Sequence, residues 1–202
     1  NYLTQVQFGY DVLGQLAAEC QRIGITRPFI VTDTGVRAAG IVDKVLGQLA
    51  DPAIAEVFDQ TPPNPNEGVV RAAAARYRDG GFDGIIAVGG GSSIDLAKGV
   101  AVCGTHEGPL KQFAVIEGGL TRITAATAPV IAIPTTAGTG SEVGRGAILI
   151  LDDGRKVGVI SPYLIPRSAI CDPELTLGLP AQLTAATGMD AIAHCLETFM
   201  AP

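Results

Sequence analysis

Along most of the chain, short apolar runs alternate with helical periods. Runs rich in apolar, often β-branched residues are typical of strands buried on both faces, and apolar residues recurring every three or four positions are typical of helices. The predicted strands are 6–9, 28–31, 54–58, 84–88, 130–133 and 168–171. The predicted helices are 11–24, 36–49, 67–79, 92–101 and a short one at 109–115.

A hairpin and a final helix stand apart from this alternation. The apolar segments 147–151 and 156–160 flank Asp152-Asp153-Gly154, a sequence typical of a hairpin turn. Residues 180–200 give no strand signal, and Pro180 suits the first turn of a helix. The sequence therefore predicts an α/β fold with a Rossmann-like, mainly parallel sheet over residues 1–174. Residues 175–202 are predicted to begin a truncated, all-helical C-terminal domain.

The segment Gly84–Ala101 predicts a phosphate-binding turn. Its apolar strand leads into the glycines 89–91, and the missing Cβ atoms let a ligand approach the backbone closely. Ser92 stands three residues before Asp95, a spacing that resembles a capping box and predicts a helix start. The free N–H groups and positive end of such a helix bind phosphate. A tight strand-to-helix turn without a ligand is the alternative.

Polar side chains also follow two other predicted strands. Asp33 can bond an adenosine ribose and repel a 2′-phosphate, which favours NAD over NADP, and it can equally cap the next helix. The loop after strand 130–133 offers hydroxyls that can line phosphate and ribose, or simply connect two strands. These hydroxyls belong to Thr135, Thr136, Thr139 and Ser141. Because ligands bind beyond the carboxyl ends of parallel strands, these groups are expected at one edge of the sheet.

Asp190 and His194 are four residues apart on the predicted final helix, so they project from one face. Such a carboxylate and imidazole can share a divalent metal ion, or can simply form a side-chain pair. The second histidine, His106, is predicted to be a surface loop residue, and its C-x-x-H spacing with Cys103 does not by itself predict a zinc site. Any metal site therefore needs further ligands from another part of the protein, another chain or water.

Composition and charge limit the classes of partner. With 47% apolar residues the chain can form a buried core, and a net charge of −6 argues against nucleic acid and anionic membrane as partners. No apolar run approaches the length of a membrane span, and the first residues lack a signal-peptide pattern. The scattered cysteines, without a paired motif, indicate reduced thiols and a cytoplasmic protein.

Three motifs together resemble the iron-containing, group III alcohol dehydrogenases. They are GGGSSIDLAKGVA at 89–101, IPTTAGTGSEV at 133–143 and DPELTLGLPAQLTAATGMDAIAHCLE at 172–197. Their order and spacing match the family, and the resemblance extends over essentially the whole chain. It implies an N-terminal nucleotide-binding domain and a C-terminal, all-helical metal domain. In the family, two further histidine ligands follow at positions beyond residue 202.

The resemblance implies roles for ten residues. Asp190 and His194 match the first two metal ligands, with Fe(II) implied and Zn(II) as the alternative. Gly90, Gly91 and Ser92 match residues that contact the pyrophosphate of the cofactor, and Asp33 matches a residue beside the adenine ribose. Thr135, Thr136 and Thr139 match cofactor contacts along the cleft, and Lys156 matches a lysine near the nicotinamide ribose. No general base is indicated.

The implied activity is hydride transfer between NAD and a small primary alcohol, hydroxy acid or aldehyde, by a homo-oligomeric, cytoplasmic enzyme. Three alternatives remain open on the sequence. The first is a metal-free enzyme resembling maleylacetate reductases, and the second a sugar-phosphate cyclase of the dehydroquinate synthase type. The third is an inactive nucleotide-binding fragment, if the protein ends at residue 202.

Overall fold

The computed structural model describes residues 3–201. Its strands are β1 (Gln5–Phe8), β2 (Pro28–Val31), β3 (Glu56–Phe58), β4 (Gly84–Gly89), β5 (Val130–Pro134), β6 (Gly146–Ile150), β7 (Lys156–Ile160) and β8 (Ser168–Cys171). Its α-helices are α1 (Leu16–Ile23), α2 (Thr34–Ala38), α3 (Ile41–Leu46), α4 (Glu67–Asp79), α5 (Gly91–Cys103) and α6 (Ala181–Met200). Six strands form one sheet in the order β1-β8-β5-β4-β2-β3, and β6 pairs with β7. The predicted Rossmann-like α/β fold is confirmed, since every pairing in the large sheet is parallel.

The central strand β4 shows why the sheet is covered on both faces. All of its residues are buried, and alternate side chains enter two different cores. Ile85 packs in the core that includes residues of α4 and α5, whereas Ile86 packs in the core that includes residues of α1 and α3. Burying one isoleucine side chain contributes about 1.5–3 kcal/mol, so a short apolar strand is strongly held between helical layers.

Two predicted helices are interrupted. The helix predicted over 36–49 is divided into α2 and α3 because Gly40 adopts a left-handed conformation with φ 73°. The helix predicted over 11–24 begins as a 3₁₀ turn at Val12–Gln15 before α1 starts at Leu16. The short helix predicted at 109–115 is wrong, because 3₁₀ turns at Leu110–Phe113 and Val115–Glu117 occupy this stretch.

The four cysteines at positions 20, 103, 171 and 195 are free thiols. Burial raises the pKa of Cys20 and of Cys171 to about 11, and that of Cys103 to about 12, so these three are poorly reactive near neutral pH. His106, beside Cys103, hydrogen-bonds Thr124 Oγ1 through Nε2 at 3.0 Å. Within residues 3–201, no helix is long and apolar enough to cross a membrane.

Candidate functional site

A cleft of about 970 Å³ lies beyond the carboxyl ends of β2, β4 and β5 and extends to α6. Its size is typical of a small-molecule or cofactor site. The structure brings together in this cleft all ten residues selected from the sequence, although their roles remain predictions. They are Asp33, Gly90, Gly91, Ser92, Thr135, Thr136, Thr139, Lys156, Asp190 and His194.

The N-terminus of α5 presents bare backbone to this cleft. Gly90 is the N-cap, and no side chain caps the helix. The first N–H groups of a helix have no partner within it, so those of α5 are available to an anion. An added Cβ at Gly91 would lie 2.8 Å from Thr139 Cγ2, and one at Gly90 would lie 3.2 Å from Thr136 Oγ1. The two glycines therefore let the threonine loop, residues 135–140, pack directly against the start of the helix.

The predicted capping box between Ser92 and Asp95 is wrong, because α5 already begins before Ser92. Ser92 Oγ instead accepts the Asn64 N–H at 3.3 Å. The Asp95 carboxylate accepts the Ser141 hydroxyl at 2.6 Å and the Ile148 N–H at 2.9 Å. Burial raises the pKa of Asp95 despite these hydrogen bonds. Asp95 thus joins the helix to the next wall of the cleft rather than capping it.

Asp33 performs the capping role considered for it. One carboxylate oxygen accepts the Val36 N–H at 2.9 Å, at the N-terminus of α2. The other oxygen accepts the Ser93 hydroxyl at 3.2 Å. Asp33 also lines the cleft, so the cap leaves the predicted ribose contact open. The two roles are compatible because a carboxylate has several lone pairs.

Asn64 is a cleft residue that the sequence analysis missed. Lys156, the first residue of β7, donates from Nζ to Asn64 Oδ1 at 2.8 Å. Together with its backbone contact to Ser92, Asn64 therefore connects the hairpin to the start of α5. The available signal was the turn-rich segment TPPNPN, which follows β3. As with Asp33 and the glycines, polar residues that directly follow a strand of a parallel sheet are expected at its ligand-binding edge.

Asp190 and His194 form a side-chain pair on the wall that α6 contributes. His194 Nδ1 lies 2.9 Å from the Asp190 carbonyl oxygen and 3.6 Å from Asp190 Oδ1. A carbonyl oxygen can only accept, so in the neutral imidazole this contact places the proton on Nδ1 and leaves the Nε2 lone pair available to a metal. Within the described range 3–201, no group of three His, Cys, Asp or Glu side chains could hold a metal ion.

Gly138 links the threonine loop to this pair. Its φ is +102°, and an added Cβ would lie 2.5 Å from Asp190 Oδ2 and 2.8 Å from the Thr187 carbonyl oxygen. Only glycine fits this conformation and this close approach without strain. The loop predicted to contact the cofactor therefore touches the carboxylate predicted to bind the metal.

Lys98 is the other residue that the sequence analysis missed. It is fully buried within α5, and its ammonium group hydrogen-bonds residues 141–146. Burial lowers the pKa of Lys98 to about 8, although Asp95 and Glu142 act to raise it. The available signal was a lysine at a position of α5 surrounded by apolar residues. The helical period predicts that a residue at such a position faces the core.

Comparison with known proteins gives concordant matches. The family model described as iron-containing alcohol dehydrogenase matches residues 4–173. The chain is 62% identical over 201 residues to the 4-hydroxybutyrate dehydrogenase of Cupriavidus necator, covering 100% of this chain and 52% of that protein. It is 41% identical to the 1,3-propanediol dehydrogenase of Klebsiella pneumoniae, covering 96% and 50%. The chain thus spans about half the length of the curated relatives it matches.

Two solved structures also match nearly the whole length of this chain. A 1,3-propanediol oxidoreductase superposes with a TM-score of 0.89 at 39% identity, over 97% of this chain and 51% of that one. A sulfoacetaldehyde reductase from Bifidobacterium kashiwanohense, solved in complex with NAD+, superposes with a TM-score of 0.90 at 29% identity, over 98% and 52%. With these matches and the family model, the chain belongs to the iron-containing alcohol dehydrogenase family.

Proposed function

We propose that the complete protein is a metal-dependent alcohol dehydrogenase or aldehyde reductase that transfers hydride between NAD and a primary alcohol or hydroxy acid. One observation carries this proposal. A single cleft joins the uncapped N-terminus of α5 to the Asp190–His194 pair, so a dinucleotide and a metal ion would meet there. Residues 1–174 would form the nucleotide-binding domain, and residues 175–202 would begin the metal-binding domain.

The cofactor contacts follow the course of the cleft. Gly90, Gly91 and Ser92 would hold the pyrophosphate with backbone N–H groups at the positive end of α5. Asp33 would accept hydrogen bonds from the adenine ribose. The hydroxyls of Thr135, Thr136 and Thr139 would line the pyrophosphate and ribose, and Lys156 would reach the nicotinamide ribose. The nicotinamide supplies the hydride chemistry, and the chain orients it.

Asp190 and His194 fit a divalent metal because they offer a carboxylate and a free imidazole nitrogen toward one cleft. Fe(II) is proposed on the family match, with Zn(II) as the second candidate, and the remaining ligands would be water or groups from outside residues 3–201. A bound metal supplies Lewis acidity toward the substrate oxygen. The metal-free alternative is not favoured, because both residues of the predicted pair line the cleft.

We propose 4-hydroxybutyrate-like hydroxy acids as the first substrates to test, because the 62% identical relative is a 4-hydroxybutyrate dehydrogenase. The complete protein would be stripped of metal, loaded anaerobically with Fe(II) or Zn(II), and assayed for NADH formation. The substrates would be 4-hydroxybutyrate, 1,3-propanediol and short primary alcohols. NADH formation that requires metal is expected. Background rates with every metal and every alcohol would refute the proposal.

Replacing Asp33 with serine is expected to relax discrimination against NADP. Serine can still cap α2, whereas the negative charge that would repel a 2′-phosphate is removed. The kcat/KM ratio for NAD over NADP in the complete protein should fall about tenfold, equivalent to about 1.4 kcal/mol. Asp51, whose carboxylate accepts the Ala53 N–H away from the cleft, provides Asp51→Ser as a matched control. An unchanged ratio in Asp33→Ser would show that Asp33 is only a cap.

A homodimer through the edge of the sheet is proposed because β1, within residues 3–201, pairs only with β8. Its side chains Val6 and Phe8 remain 43% and 77% exposed, and an apolar edge strand is a template for pairing with another strand. Phe8→Arg in the complete protein is expected to halve the mass measured by light scattering. Ile116→Arg, at a residue 65% exposed elsewhere, is the control. An unchanged mass in Phe8→Arg would exclude this edge as the interface.

A cytoplasmic location is proposed because the cysteines are free thiols.

A further inference from the structure

All of the hydrogen bonds that Lys98 makes from Nζ go to one short segment, residues 141–146. Nζ donates to the carbonyl oxygens of Ser141 at 2.7 Å, Gly144 at 2.9 Å and Gly146 at 2.8 Å. It also lies 3.0 Å from Ser141 Oγ. Lys98 is fully buried and does not line the cleft, so it is positioned to act on this segment and not on a ligand.

Asp95 holds the same segment one turn earlier on α5. The Ser141 hydroxyl donates to Asp95 Oδ1, and its oxygen also lies 3.0 Å from Lys98 Nζ, so the serine lies between the two charged groups. The second Asp95 oxygen accepts the Ile148 N–H within β6. Asp95, Lys98 and Ser141, here called the α5 clamp, therefore tie α5 to the beginning of the hairpin.

The position of the α5 clamp relates it to the cleft. The first turn of α5 forms one wall of the cleft. Residues 141–146 connect the threonine loop to β6, and these segments together line a second wall. We propose that the α5 clamp sets the separation of these two walls and thereby the affinity for NAD, with Lys98 as a positioning residue. This inference rests on the proposed function, since it assigns the cleft to the dinucleotide.

Stability alone is a weaker explanation for a buried lysine. Removing an ammonium group from water is costly, and replacing a whole buried ion pair by apolar residues is often neutral or stabilising. The contacts of Lys98 are directional, and the charged groups that act on it, Asp95 and Glu142, lie on the two elements that it joins. Such an arrangement specifies relative position more strongly than an apolar contact does.

The test is Lys98→Met in the complete, metal-loaded protein. Because Lys98 does not line the cleft, a change in NAD binding would not come from a lost ligand contact. We expect the Kd and the KM for NAD to rise about tenfold, while kcat at saturating NAD changes less than about twofold. Ser161→Ala is the matched control, because this buried serine accepts the Tyr163 N–H away from the cleft. Its Kd should be unchanged.

Lys98→Gln is the second variant, used if Lys98→Met does not fold. Its amide can still donate hydrogen bonds but carries no charge, so we expect the Kd for NAD to rise about threefold. An unchanged Kd in a folded variant, or a Lys98→Gln protein that also fails to fold, would overturn the inference. A wild-type protein that does not bind NAD would instead refute the proposed function.

Discussion

Replacing Asp190 with asparagine in the complete protein is expected to abolish metal binding and to lower kcat/KM about a thousandfold. The reason is that Asp190 supplies the negative charge of the proposed metal site, and metal catalysis contributes several kcal/mol to such reactions. His194→Ala should have the same effect, because it removes the free Nε2. Bound metal, measured by elemental analysis, and NADH formation should fall together.

Glu197→Gln is the matched control for this loss. Glu197 carries a carboxylate on the same helix, α6, but does not line the cleft, so its amide variant should keep metal and activity. The Kd for NAD in Asp190→Asn should stay close to that of the wild type. If Asp190→Asn and His194→Ala kept both metal and activity within about threefold, these residues would not be ligands and the metal-free alternative would regain weight.

Gly138→Ala is expected to lower kcat/KM at least a hundredfold. The added Cβ would meet Asp190 Oδ2 at 2.5 Å and the Thr187 carbonyl oxygen at 2.8 Å, and φ +102° is strained for alanine. Because backbone strain of this kind costs about 1–3 kcal/mol and the clash adds to it, the threonine loop should move away from α6. Both NAD affinity and metal content are therefore expected to fall, as measured by titration and elemental analysis.

Gly140→Ala introduces backbone strain without the steric clash that is expected in Gly138→Ala. Gly140 lies in the same loop with φ +65°, but an added Cβ there has no neighbour within 4 Å. This variant should lose only about 1 kcal/mol of stability and much less activity than Gly138→Ala. Equal losses in the two variants would show that the contact between the loop and α6 is unimportant. Metal content should respond only in Gly138→Ala.

The sequence was sufficient for the sheet because its strands are short, apolar and separated by strong turn signals. The sequence of a strand such as β4, which is buried on both faces, leaves little doubt about its secondary structure or its place between two helical layers. Helix interruptions were harder to predict, because Gly40 breaks a helical period that its neighbours would otherwise continue. Whether a glycine adopts a left-handed conformation depends on packing, which the local pattern does not contain.

The candidate site was predictable where its residues follow strand ends. Asp33, the glycines and the threonine loop obey that rule, and they share the cleft. The clamp was not predictable, because the partners of Lys98 lie more than 40 residues away along the chain. The capping-box spacing of Ser92 and Asp95 was misleading for a related reason. The Asp95 carboxylate instead accepts a partly buried tertiary hydrogen bond from Ser141, which takes the place of local capping.

The pairing of β1 with β8 has a consequence for synthesis on the ribosome. Ser168 Oγ hydrogen-bonds the Gln5 carbonyl oxygen across 163 residues of sequence. At typical elongation rates of about 5–20 residues per second, β1 waits roughly 8–30 seconds for its neighbour to be translated. During this interval the unpaired backbone of β1 is open to association with other nascent chains. Slower elongation would lengthen that exposure, so expression yield should depend on chaperones acting before β8 emerges.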